Sequence, residues 1–175
     1  MPLTANLGSG KYSPLDELPS PSRLKELNVI GYPLFHYGWE IDTKQLVHYL
    51  INIKEWPCTD QMPVVDLQST DDNAAFELQW STTAIVRFQA VVRKKYKINI
   101  AYEDAVCTRF YSNMFALWSN DDYMERTKSR MENRRLDNGE LVLEALKEEL
   151  RKAFARAGEA DFRPKWYWSN LTNFE

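Results

Sequence analysis

The sequence is short of the residues from which most recognisable sites are built. It has two cysteines, Cys58 and Cys107, and two histidines, His36 and His48. Two cysteines do not make a disulfide scaffold, and no Cys-x-x-Cys or Cys/His cluster has the spacing of a zinc site. An excess of one charge is lacking too: 22 basic side chains stand against 25 acidic ones, a formal charge of −3. Wrapping nucleic acid through bulk positive charge is thereby excluded, and nucleic acid is not an expected partner. No run approaches the ~18 apolar residues that span a bilayer, because charges interrupt every stretch. The first ten residues hold neither a basic region nor a continuous apolar one, so no secretory signal is readable. The expectation is a soluble cytoplasmic protein with no membrane role. In that setting the Asn170-Leu171-Thr172 sequon is chance.

What the chain has in quantity is rings. Its 175 residues suit one domain, and they include 6 Trp, 9 Tyr and 8 Phe, or 13% of the whole. Residues 1–22 carry four of the eight prolines and read as an extended N-terminal arm. Leu3, Leu7, Tyr12, Leu15 and Leu18 argue that this arm lies on the body of the protein. Residues 23–160 form the domain, and 161–175 an aromatic C-terminal arm that docks on it.

The body reads as helices. Ser22 caps a short one, with Leu24 and Leu27 inward, that Gly31 and Pro33 stop. A loop holding Tyr32, Phe35, Tyr37 and Trp39 follows. Asp42 is placed as an N-cap with Gln45 as its partner, ahead of Leu46, Tyr49, Leu50 and Ile53 at helical spacing. A short strand is conceivable at Pro63–Leu67. Residues 72–97 mix alternation (Phe76, Leu78, Trp80) with helical spacing (Ala84, Ile85, Phe88, Val91, Val92), and the Ala, Gln, Glu and Arg between them favour helix. Val106, Phe110, Met114, Leu117 and Trp118 predict another apolar helix face behind Glu103 and Asp104. Residues 121–136 make a charged helix. Leu143, Leu146, Leu150, Ala153, Phe154 and Ala157 mark the last, with Gly158 as its cap. The expected fold is all-α: a single bundle of about five or six helices with aromatic-rich arms at both ends.

Few constellations carry chemistry. Asp121-Asp122-Tyr123-Met124-Glu125 resembles the D-D-x-x-E run with which all-α terpene cyclases hold magnesium against a diphosphate. The likeness ends there, since no second acidic motif follows and the chain is short for that bundle. Acids at a helix N-terminus are the weightier reading, which leaves Asp121, Asp122 and Glu125 as a weak metal alternative. His36 and His48 show no ligand spacing, and His48 reads as a partly buried structural residue. Cys107 reads as an inert packed thiol. The run Arg126, Lys128, Arg130, Arg134 and Arg135 sets five bases against the four acids Asp121, Asp122, Glu125 and Glu132, which is a solvated face.

The loop clusters Tyr32–Trp39 and Phe162–Trp168 stand out. Rings in loops beside Glu40, Arg163 and Lys165 are how a protein builds an apolar slot with a few polar fixing groups. The expected function is therefore a non-catalytic binding protein whose pocket takes a small planar apolar molecule: a pigment or other organic chromophore, an indole, a polyketide. Tyr37, Trp39, Trp118, Trp166 and Trp168 are the expected stacking residues, with His36 and Arg163 as polar contacts. Two alternatives stand beside it. One is an interaction or homodimer module built on the arms, where Trp, Tyr and Arg are common anchors. The other is a small magnesium-dependent enzyme acting on a prenyl or aromatic substrate.

Overall fold

A computed structural model describes residues 13–26, 29–30, 33–57, 60–109, 111–120, 139–155, 162–170 and 173–174. The order of elements is α1 (Pro21–Glu26), β1 (Val29–Ile30), β2 (Phe35–Asp42), α2 (Thr43–Asn52), α3 (Asn73–Tyr96), β3 (Ala101–Glu103), β4 (Ser112–Ser119), α4 (Gly139–Phe154), β5 (Lys165–Trp168) and β6 (Asn173–Phe174). Strands β3-β4-β2-β5 make a four-stranded antiparallel sheet, and β1 pairs with β6 in a separate ribbon. The protein is thus mixed α/β, and the all-α bundle is overturned.

The reason lies in the two central strands. Along β2, Phe35, Tyr37, Trp39 and Ile41 alternate with His36, Gly38, Glu40 and Asp42, the period of two that a strand requires. That alternation stands in the sequence and the loop expectation overlooks it; what only the structure adds is that both sets are largely buried, the polar one under a second layer. The aromatic loop expected at 32–39 is therefore mostly a central strand. In β4, residues 113–117 are all buried. A strand covered on both faces reads as a continuous apolar run, and periodicity does not separate that from a buried helix. The spacing that predicted a helix through Met114 and Trp118 is such a run.

Local signals did hold for the long helices. The Asp42 carboxylate accepts the Gln45 amide at 3.1 Å and caps α2. Helix α3 is one continuous element of 24 residues, entered and left through left-handed residues, Asp72 and Lys97, both at φ 57°. Asp72 occupies the N-cap position without a side-chain capping bond. In α4, Leu146, Leu150 and Phe154 point inward at i, i+4, i+8. Helix α1 starts one cap earlier than expected, since Ser20, not Ser22, accepts the Arg23 amide. Residues 63–67 form no strand. The helix expected at 121–136 and the Gly158 cap lie outside the described residues.

The helices cover one face of the sheet. Trp39, Ile41, Phe115 and Leu117 from the strands pack with Leu46 and Leu50 of α2, Phe88 and Val92 of α3, and the α4 residues just named. Phe88 sits edge-on to Phe115 at 4.8 Å and to Phe154 at 6.2 Å, joining sheet, α3 and α4. The opposite face is closed by the β3–β4 connection. Its Ala105 packs with Met114, Ala116 and Tyr167, and Cys107 lies against them. This strap runs on to the far edge strand, where the Val106 amide donates to the Trp168 carbonyl at 2.7 Å. Leu15 exchanges two bonds of 2.8 Å with Trp166 on the same edge. Those contacts occupy backbone groups that would otherwise template another strand.

Candidate functional site

The site begins with a glycine. Between Tyr37 and Gly38 the β2–β4 register slips by one residue: Tyr37 opposes Trp118, while Gly38 opposes Ala116. Leu117 is the extra residue of a β-bulge. Gly38 makes the close approach possible, because a Cβ there would lie 1.9 Å from the Phe115 carbonyl oxygen. By strict alternation Trp118 would share the strap face with Met114 and Ala116. The bulge turns it to the helix-side face, beside Tyr37.

The result is a row of rings across three strands. Tyr37 stacks on Trp118 with centroids 4.9 Å apart and planes at 18°, and it tilts against Trp166 at 5.0 Å and 47°. One step along β2 and β5, Phe35 meets Trp168 at 4.4 Å. Tyr37 and Trp118 are half-buried, whereas Trp166 and Trp168 are buried and form their backing. Sequence reasoning expected Tyr37, Trp118, Trp166 and Trp168 together, and the sheet does bring them together.

The other expected residues lie elsewhere. Trp39 is 1% exposed in the main core, with α2 and α3 over it. His36 faces the strap side, buried, with Nδ1 2.7 Å from the Ser119 hydroxyl. Arg163 lies at the surface, its guanidinium 3.1 Å from Asp16. His48 is exposed on α2, not partly buried, and receives the Asn52 amide at 3.3 Å. Asp121, Asp122 and Glu125 fall outside the described residues, as does Cys58. Among the described residues no three His, Cys, Asp or Glu side chains gather as a metal site. Nor is any described helix long and apolar enough to cross a membrane.

Two polar centres have roles that the sequence does not announce. Glu40 is 2% exposed, and its carboxylate receives the Thr108 amide (3.1 Å), the Thr108 hydroxyl (2.8 Å) and the Arg109 amide (2.8 Å). Arg109 Nε is 3.7 Å away. A buried carboxylate needs such a set of donors, and here they pin the strap to β2. Burial raises the Tyr167 phenol and the Cys107 thiol above their ordinary pKa, and the nearby Glu40 charge adds to both. A thiol so placed is not a nucleophile at neutral pH.

The second centre is Glu149 on α4. It receives the Tyr49 hydroxyl at 2.5 Å, the Tyr96 hydroxyl, and Lys95 Nζ at 2.5 Å, which ties α4 to α2 and α3. Burial works to raise this carboxyl, but the bonds from Lys95, Tyr49 and Tyr96 outweigh it and hold it below its usual range. Burial first, then the bond to Glu149, raises both phenols. Glu40 was expected beside an aromatic loop, as a polar group of the slot, and Glu149 lies on the clearest expected helix; no local pattern shows that either carboxylate is enclosed by donors from distant segments. No protein-family model, curated protein or solved structure matches this chain.

Proposed function

We propose that the protein is a non-catalytic binding protein, and that the half-buried Tyr37–Trp118 pair with Trp166 behind it takes a small, planar, apolar molecule. The observation that supports this is the bulge: an irregularity held by Gly38 turns Trp118 out of the strap-side layer and onto Tyr37. Bulges recur where a side chain is re-aimed for function. The ligand expected is of the pigment, indole or polyketide class, and the compartment the cytoplasm. Trp39 and Trp168 then support the platform from the core, and His36 and Arg163 have no part in it.

Titration with planar aromatic compounds tests this through tryptophan fluorescence and the absorption spectrum of the protein as purified. Binding that is lost in Trp118→Ala and Tyr37→Ala, with the far-UV spectrum unchanged, is the expected result. A protein that carries no ligand in denaturing mass spectrometry, and whose fluorescence no planar compound quenches, defeats the reading.

A further inference from the structure

Helix α3 presents a face whose composition its position does not explain. The line Ala75, Gln79, Thr82, Val86 and Arg93 runs at helical spacing opposite the buried line of Ala84, Phe88 and Val91, with Leu78 on its flank. Leu78 is 89% exposed and Val86 61%. From Ala74 to Val86 every exposed residue of this helix is uncharged. Solvent-facing helix surfaces ordinarily carry charges on that side.

The charges stand at the two ends, with opposite signs. Asp71 and Asp72 are exposed where α3 starts. At its other end lies a cleft of about 700 Å³ lined by Gln89, Ala90, Arg93, Lys94, Lys97, Asn99 and Ile100, three cations and no acid. Lys94 is shared with Glu55 at 3.4 Å, and Lys95 faces away to Glu149. The Arg93 guanidinium has no ion-pair partner among the described residues. Acids first and bases last suit the helix dipole, but the dipole does not account for the uncharged middle.

We infer that this face is the interface of a homodimer in which two α3 helices pack antiparallel about a two-fold axis between Thr82 and Thr83. The sequence positions fit a self-complementary surface. Asp72 and Arg93 are equally far from that midpoint, so each acidic end meets the partner's basic cleft. The same operation brings Leu78 within one residue of the level of the partner's Val86, and the small Thr82 and Thr83 side chains let the helices approach at the axis. A shallow crossing angle of roughly 20° keeps contact over the helix, about 36 Å long. This inference is independent of the aromatic platform, which lies on the sheet.

Sedimentation velocity of the full chain over the micromolar range, at low and high salt, is the primary test. The expected result is a reversible dimer weakened by salt. Its dissociation constant should rise at least ~tenfold in Leu78→Glu/Val86→Glu and in Arg93→Glu/Lys97→Glu. Adding Asp71→Lys/Asp72→Lys to the latter pair swaps both ends and should restore association. In a Cys58→Ser background, Thr82→Cys should cross-link two chains across the axis, and Asn73→Cys should not. The substituted positions between Asp71 and Lys97 are exposed or partly so, and unchanged thermal melting shows that the variants fold. A chain that stays monomeric throughout overturns the inference. So does a dimer indifferent to these variants.

Discussion

Tyr37 and Trp118 stack at 4.9 Å because Leu117 is one residue too many for the β2–β4 ladder. Their partnership belongs to the bulge and, through it, to Gly38.

Gly38→Ala should therefore be among the costliest single-methyl changes in the chain. The added Cβ meets a backbone oxygen, not a side chain that can rotate away. The expected loss is roughly 3 kcal/mol, at the upper end of overpacking penalties, read as a lower urea midpoint. The near-UV signal of the Tyr37–Trp118 pair should weaken with it. A variant as stable as the parent would mean that the two strands do not approach this closely.

The strap stands or falls with Glu40. Glu40→Leu leaves the Thr108 and Arg109 amides without their acceptor, at about 1–3 kcal/mol for each buried group. Glu40→Gln retains an acceptor and should cost about half as much. Hydrogen exchange should rise selectively over residues 104–111 in the leucine variant. If instead it rises uniformly, or not at all, Glu40 does not anchor this segment.

Glu149 makes stability depend on acid. Its carboxyl is held below its ordinary value of 4.5 in the folded state, so the unfolded chain binds the proton first. The contribution is complete above that value and drains away as pH falls through the folded pKa. Glu149→Gln should lower stability at neutral pH by about 1–2 kcal/mol and flatten the decline between neutral and strongly acidic pH. Urea midpoints of parent and variant across that range decide it; parallel curves would remove Glu149 from the account.

Cys107 should behave as a packed residue. With its thiol pushed up by burial first and then by Glu40, it should resist an aromatic disulfide reagent at mildly alkaline pH in a Cys58→Ser background. One equivalent should react on denaturation. Rapid labelling of the native protein would contradict the covered strap face.

Helices were legible because their information is local. Asp42 and Gln45 mark where α2 begins, and the inward positions of α3 and α4 recur along a single segment. Of the central strands, Ser112–Ser119 was not, because it is covered on both sides and loses the alternation by which a strand is read, whereas Phe35–Asp42 keeps that alternation in the sequence and was overlooked for its density of rings. Of the candidate site, the rings were identifiable as a group but not their separation. Only the sheet decides that Trp39 and Trp168 are core while Tyr37 and Trp118 stay half-open.

By itself the sequence determined the three long helices and the clustering of rings near 32–39 and 162–168. Tertiary structure alone decided that these two clusters are neighbouring strands, that Trp118 joins them, and that Glu40 is inside. The physical reason is range. A cap or a helical face is set by residues within a turn or two, whereas a register slip, a buried carboxylate and a cross-strand stack depend on partners tens of residues away.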